Sequence, residues 1–122
     1  MLVDWTIDKR RRSQVIIELR IYHCVPGRLP ALHERFTRTT LGFFRKYGIE
    51  PLGFWTTLAG PTNQALTYML KWNSLAERET RWNAFAADPE WIALRGASEV
   101  PPIVERIEVQ FLAPTAYSPP LS

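Results

Sequence analysis

Cysteine, histidine and glycine are scarce in this chain, and each shortage excludes a kind of chemistry. The 122 residues include one cysteine, Cys24, so no disulfide can form within the chain. A single unpaired thiol fits a reducing compartment, and we expect a cytoplasmic protein. The two histidines, His23 and His33, have no metal-binding spacing with a carboxylate or a pair of cysteines. The six glycines do not form a phosphate-binding loop. We therefore expect neither a metal nor a cofactor.

Long apolar runs are also missing, and positive charge is concentrated at one end. No run approaches the ~20 apolar residues of a membrane helix. No apolar segment with a small-residue cleavage site follows the basic cluster, so we expect no secretory signal. Residues 1–14 hold Lys9, Arg10, Arg11 and Arg12 against two aspartates, while the rest of the chain is nearly balanced in charge. A nucleic-acid interface would need basic residues distributed among exposed aromatic ones. We expect no nucleic-acid or membrane partner and interpret residues 1–14 as a basic extension. The alternative is that this arm contacts an acidic partner or a membrane surface.

Apolar and aromatic residues are plentiful, and their spacing is typical of strands and helices. Hydrophobic residues make up 46% of the chain, enough for one core without disulfides. Residues 65–73 carry large apolar side chains at every second position, which predicts a strand with one buried face. Ser74 and Glu77 follow directly in the spacing of a capping box, so a helix is predicted to begin there.

The predicted elements alternate in an informative order. Strands are predicted at residues 15–24, 49–58, 65–73 and 103–112, and helices at 29–47 and from 74 to 96 with a restart at Asp88. The order β-α-β-β-α-β predicts an α+β, ferredoxin-like fold, in which two helices cover one face of a four-stranded antiparallel sheet. The folded domain is expected to span residues 15–113, and residues 114–122 form a proline-rich tail.

The sheet face without helices is the predicted location of function. Alternation along the strands leads us to expect these residues on that open face: Glu18, Arg20, Tyr22, Met69, Lys71, Val104, Arg106 and Glu108. The expected helix-facing residues of the last strand are Ile103, Ile107, Val109 and Phe111. The mixed composition of the open face favours a surface that packs against another subunit and lines a cavity. There, a carboxylate beside an apolar wall could act as an acid or base and an arginine could hold an anion. The alternative is that these charges only pair with one another.

Seven segments resemble, in the same order, those of the NIPSNAP family. They are residues 17–22, 26–27, 53–55 with 60–63, 68–72, 74–78, 85–91 and 114–119. The family belongs to the dimeric α/β barrels, in which two ferredoxin-like subunits press their open sheet faces together. The resemblance therefore implies a homodimer, and more distant barrel relatives include haem-degrading and cofactor-free monooxygenases.

Two functions remain open from the sequence. The first is a homodimeric barrel with a small-molecule cavity on the open sheet face, in which acid-base or cofactor-free oxygenase chemistry could occur. The second is a non-enzymatic interaction or scaffold protein that uses the sheet face only to dimerise. The pattern of residues identifies no catalytic group, so it does not decide between an enzyme and a binding protein.

Overall fold

A four-stranded sheet with helices on one face makes up the computed structural model, which describes residues 15–121. The strands are β1 (Ile16–Cys24), β2 (Glu50–Thr56), β3 (Ala65–Trp72) and β4 (Val104–Leu112). The helices are α1 (Leu29–Arg35), α2 (Leu41–Lys46), α3 (Leu75–Ala86) and α4 (Pro89–Ser98). The strand order is β2-β3-β1-β4, and all neighbours are antiparallel. The predicted ferredoxin-like fold is confirmed. The basic extension predicted at residues 1–14 lies outside the described residues.

The two helices after β3 begin at the caps that the sequence predicts. Ser74 Oγ accepts a hydrogen bond from the backbone N–H of Glu77 at 3.0 Å. Asp88 Oδ1 accepts from the N–H groups of Glu90 and Trp91 at 2.8 and 3.2 Å. These side chains satisfy amides that the first turn of a helix leaves without partners. Local sequence therefore determines where α3 and α4 begin.

The helical segment between β1 and β2 is interrupted, although the sequence pattern predicted one continuous helix over residues 29–47. A π-helical turn, Phe36–Thr40, joins α1 to α2, and the N–H of Leu41 donates to the carbonyl of Phe36 five residues earlier. This wider turn shifts the helical register by one residue. Phe36 before the shift and both Phe43 and Phe44 after it are consequently buried. The helix ends at Lys46, and the predicted stop residue Gly48 follows two residues later with a φ of +67°, in the left-handed region.

The core lies between the helices and one face of the sheet, and it is largely aromatic. β3 contributes the side chains that its alternation predicts, which are Leu66, Tyr68, Leu70 and Trp72. The ring of Tyr68 stacks on Phe54 with 5.2 Å between centroids and meets the edge of Phe36 at 5.4 Å. Each such pair adds about 0.5–1.5 kcal/mol beyond the area it buries. These contacts fix the helices over the inner strands.

The predicted faces of β1 are wrong, because its even-numbered residues face the helices. Arg20 lies over the ring of Trp82 in α3, 4.3 Å from the ring centroid, and Tyr22 contacts the ring of Phe36. Glu18 is fully buried on the same side. Alternation assigns residues to two faces but does not show which face is covered. The charged set was expected outside because charged side chains are rarely buried unless they are paired, as these are.

The open face of the sheet is therefore more apolar than predicted. The odd-numbered residues of β1 lie there, among them Ile17, Leu19 and Ile21, and their ladder partners in β3 include Met69 and Lys71. Met69 and Lys71 are thus on the open face, as predicted. The centre of this face consists of branched and thioether side chains rather than of a charged cluster.

Strand β4 follows the prediction except at its first residue. Arg106 and Glu108 pair with odd-numbered positions of β1 and so lie on the open face. A register shift between His23 and Cys24 places Val104 opposite Cys24, on the helix side. The predicted open-face position of Val104 is therefore wrong. The predicted orientation of the helix-facing side chains of β4 is confirmed. Three of them, Ile107, Val109 and Phe111, remain 40–47% exposed because the helices leave this edge of the sheet partly uncovered.

Candidate functional site

The predicted site residues are divided between the two sides of the sheet. Glu18, Arg20 and Tyr22 lie under the helices, whereas Met69, Lys71, Arg106 and Glu108 lie on the open face. The sheet itself separates the two groups. They cannot form the single constellation that the sequence suggested, and each side has to be considered separately.

Glu18 is the centre of a buried ion-pair network. Its carboxylate accepts from Arg20 Nη1 at 2.7 Å, from Arg78 Nε and Nη2 at 3.0 and 3.1 Å, and from Trp72 Nε1 at 3.0 Å. Burial alone raises the pKa of Glu18, but the hydrogen bonds from Arg78 and Arg20 outweigh burial, and the net pKa lies below its usual value. Glu18 is held as a fully paired anion. It is not a free general base.

Arg20 extends this network to two tyrosines. Its Nε and Nη2 donate to Tyr22 Oη at 3.3 and 3.2 Å, and Tyr22 Oη lies 2.8 Å from Tyr68 Oη. Because Arg20 occupies both lone pairs of Tyr22 Oη, the proton of that hydroxyl is directed toward Tyr68. Burial lowers the pKa of Arg20, but Tyr68, Tyr22 and Glu18 raise it by more, so the guanidinium stays charged. Burial also raises the pKa of Tyr68.

A cleft of about 260 Å³ opens beside the network, between the sheet and the helices. Its lining comprises Arg20, Tyr22, Arg35, Phe36, Thr40, Phe44, Trp82, Phe85, Ala86, Trp91, Ile92, Arg95, Val104 and Ile107. Sites for drug-sized ligands measure about 300–1,000 Å³ and are mostly apolar with a few polar groups. This cleft has that character at slightly smaller size, so it suits a compact molecule.

Arginine is the charged residue that lines the cleft. Arg20, Arg35 and Arg95 contribute to the lining, and among the described residues no carboxylate does so. Arg35 is almost completely buried, and its Nη1 lies 3.4 Å from Glu99 Oε1 and 3.3 Å from Ser98 Oγ. Within residues 15–121, Arg35 Nε has no hydrogen-bond partner. An unsatisfied buried donor costs about 1–3 kcal/mol, so this atom is a feature that needs an explanation.

The remaining titratable candidates do not assemble into a metal or nucleophile site. Burial raises the pKa of the Cys24 thiol, which disfavours the reactive thiolate. On the open face, His23 Nε2 lies 2.6 Å from Glu108 Oε2, and that hydrogen bond lowers the pKa of Glu108. The described part of the chain holds no group of three or more histidine, cysteine, aspartate or glutamate residues placed to bind a metal ion. Among its helices, none has the length and apolar composition to cross a bilayer.

Sequence reasoning selected Arg20 and Tyr22 but missed most of the cleft. Arg78, which donates two hydrogen bonds to Glu18, is 60 residues away in the chain, and Arg35 and Arg95 come from two different helices. No local motif connects these positions. The one usable signal was the presence of a glutamate and an arginine two residues apart in an otherwise apolar strand.

These features define a class of protein: a ferredoxin-like α+β domain with its helices on one sheet face and a cleft between the two layers. The NIPSNAP family model matches residues 17–119, so the chain belongs to the NIPSNAP family. The resemblance seen in the sequence is thereby confirmed.

Solved structures of bacterial relatives have the same fold. An uncharacterized NIPSNAP-like domain protein from Burkholderia xenovorans is 26% identical with a TM-score of 0.79, and the match covers 90% of this chain and 93% of that chain. A NIPSNAP family protein from Agrobacterium tumefaciens is 26% identical with a TM-score of 0.77, over 86% and 97% of the two chains. A putative antibiotic biosynthesis monooxygenase from Bacteroides thetaiotaomicron is 13% identical with a TM-score of 0.63, over 84% and 91%. The last similarity shows the fold alone. The comparison with curated proteins found no match.

Proposed function

We propose that the protein binds a compact small molecule in the cleft between the sheet and the helices, and that it does so as a homodimer joined through the open sheet faces. The observation that carries the proposal is the cleft itself, about 260 Å³ in volume, with aromatic walls and arginines in its lining. A cavity of this kind is the usual form of a small-molecule site. The proposal moves the cavity from the open face, where the sequence placed it, to the helix side.

Binding is better supported than acid-base chemistry. A general base must be within reach of the substrate and free to take a proton. Glu18 is anionic but engaged by two arginines and a tryptophan, and the hydroxyl of Tyr22 is engaged by Arg20. Neither group is available for proton transfer. Cofactor-free oxygenase chemistry stays a prediction, because the similarity to a monooxygenase at 13% identity concerns the fold.

The homodimer is supported by the composition of the open sheet face. Leu19 pairs with Met69 at its centre, and the ring of Trp55, whose side chain is about half exposed, lies close over Gly53. An apolar sheet face of this kind is normally covered by another layer. The same contact would serve a scaffold protein that only self-associates, which is the second candidate function. The single free cysteine supports a cytoplasmic location.

The test is a titration with three compact aromatic compounds: benzoate, benzamide and benzyl alcohol. Binding in the cleft is expected to shift the NMR signals of the indole N–H groups of Trp82 and Trp91, which line it. The variant Ala86→Phe places a phenyl ring in the cleft without deleting a hydrogen bond. It should weaken binding by about tenfold or more, the equivalent of about 1.4 kcal/mol.

Ala84→Phe is the matched control, because Ala84 is an exposed residue of the same helix that does not line the cleft. Its affinities should equal those of the wild type. Unchanged binding in Ala86→Phe, or shifts confined to Trp55 on the open face, would contradict the proposed location of the site.

A further inference from the structure

The surroundings of the cleft carry an excess of positive charge. The ion-pair network and the lining together contain four arginines, Arg20, Arg35, Arg78 and Arg95, and the carboxylates paired with them are Glu18 and Glu99. Two positive charges are therefore left without a carboxylate partner among these groups. Walls of low dielectric constant strengthen the field of such an excess inside a cleft, which attracts anions.

Two of these arginines also have unused hydrogen-bond donors. Arg35 Nε is buried and has no partner in the described part of the chain. A guanidinium has five N–H groups, and Arg20 uses one each on Nε, Nη1 and Nη2 for Tyr22 and Glu18. Two N–H groups of Arg20 remain. Both residues line the cleft, so an oxygen ligand there would satisfy donors that the protein itself does not.

Glu99 does not supply this missing acceptor, although it is the carboxylate next to Arg35. Its Oε2 accepts from the backbone N–H of Ile103 at 2.6 Å, and both of its oxygens lie 3.3 Å from the N–H of Val104. It contacts Arg35 only at Nη1, at 3.4 Å. Glu99 is therefore fixed to the start of β4, and it leaves the buried Nε of Arg35 without an acceptor.

The other walls of the cleft set the form of the ligand. Trp82, Phe85 and Trp91 contribute aromatic side chains to the lining, and an aromatic ring packs well against the parts of them that face the cleft. A volume of about 260 Å³ admits one such ring with a short polar group. The polar group has to be a hydrogen-bond acceptor, because guanidinium groups donate and do not accept, and an anion is favoured because its hydrogen bonds to guanidinium are stronger.

We propose that the cleft selects a compact aromatic carboxylate, and that Arg35 together with Arg95 recognises its carboxylate group. This inference rests on the proposed function, since it specifies the ligand of the same cleft. The aromatic ring lies among Trp82, Phe85 and Trp91, and the carboxylate accepts hydrogen bonds from the free donor of Arg35. Arg95, an exposed lining residue, contributes charge at the cleft.

The test compares benzoate with benzamide, which has nearly the same size and shape but no charge. The Kd of benzoate for the full chain, measured by NMR titration, is expected to be at least about tenfold lower than that of benzamide. Equal dissociation constants would overturn this inference while leaving the small-molecule cleft intact. Failure of benzoate, benzamide and benzyl alcohol to bind would overturn both the inference and the proposed function.

Two variants test the assigned residues. Arg35→Gln should reduce the preference for benzoate at least about fivefold, and its NMR spectrum shows whether the buried substitution leaves the fold intact. Arg95→Gln changes an exposed residue, so it should fold normally, and it should reduce the preference at least about threefold. Arg45→Gln is the control, because it removes the same charge from an exposed residue outside the cleft. An undiminished preference for benzoate in Arg95→Gln and in a folded Arg35→Gln would overturn the assignment.

Discussion

At the scale of single residues, two charged side chains of β1, Glu18 and Arg20, are buried in the interior. Glu18, in β1, accepts four hydrogen bonds from Arg20, Arg78 and Trp72. A buried ion pair is not by itself strong evidence for stability, because desolvation opposes the attraction. Removing one partner is nevertheless costly, since the others stay buried and lose their counter-charge. The network therefore specifies the arrangement of β1 against α3 more than it adds to net stability.

Glu18→Gln should lower the free energy of unfolding by about 3 kcal/mol, because it leaves Arg20 buried without its anion. Chemical denaturation followed by fluorescence measures the change. Glu108→Gln on the open face, where the carboxylate is about half exposed, should have a much smaller effect. A loss in Glu18→Gln no larger than that of this control would contradict the role of the network.

The same glutamate should make stability depend on pH in the acid range. The pKa of Glu18 is lower in the folded than in the unfolded protein, so its stabilisation is complete above the unfolded pKa. The stabilisation is lost as the pH falls through the lower, folded pKa. Between about pH 6 and pH 3 the wild type should lose more stability than Glu18→Gln. Parallel curves for the two proteins would show that another carboxylate governs acid unfolding.

The residue scale is also where sequence reasoning had its clearest limit. The charged positions of β1 were correctly singled out, yet they were placed on the wrong face. Period-two alternation divides a strand into two sets, and the hydrophobicity of the odd set, which includes Ile17, Leu19 and Ile21, pointed to the core. In a sheet that is apolar on both faces, composition no longer identifies the covered one. The partner that makes Glu18 tolerable inside, Arg78, comes from a helix 60 residues later.

At the scale of elements, caps were predictable and irregularities were not. Ser74, Glu77 and Asp88 act as the sequence indicated, because capping depends on residues two or three positions apart. The π-helical turn, Phe36–Thr40, and the register shift before Val104 depend on packing across the fold. Each of them changes which side chains face the cleft. Phe36, Thr40 and Val104 line it.

Ser74→Ala should lower the free energy of unfolding by about 1 kcal/mol, since it leaves the N–H of Glu77 without its acceptor. Glu77 retains its bonds to Asn73, so the helix start should fray rather than unfold. Thr80→Ala is the control in an exposed position of the same helix. Alanine favours helix there, so this variant should be as stable as the wild type or slightly more so. Equal stability of the two variants would show that the cap contributes little.

At the scale of the whole molecule, two layers leave one sheet face uncovered within the described chain. The fold, its topology and its family could all be predicted, because element order and several ordered motifs determine them. The position of the cleft could not, because it depends on which sheet face the helices cover. The proposed dimer uses both sides of the sheet. A second copy would cover the apolar open face, and the cleft on the helix side would remain accessible.

Leu19→Asp should convert the proposed dimer into a monomer, because it places a charge at the centre of the open face opposite Met69. Sedimentation velocity of the full chain measures the assembly state. Leu75→Asp changes an exposed leucine of α3, outside the sheet, and should leave the dimer unaffected. A monomeric wild type, or a dimer that survives Leu19→Asp, would contradict assembly through this face. A dimer that binds none of the aromatic compounds would favour the scaffold function.

The position of β4 at the edge of the sheet has a consequence for aggregation. Nine residues of extended backbone present one row of N–H and C=O groups that no described strand pairs. Such an edge is a template for unwanted strand addition, and natural proteins protect it with charged side chains. Glu105, Arg106 and Glu108 interrupt the apolar residues of this strand. Charged side chains at these positions disfavour the addition of a further strand at this edge, in addition to any role that Arg106 and Glu108 have on the open face.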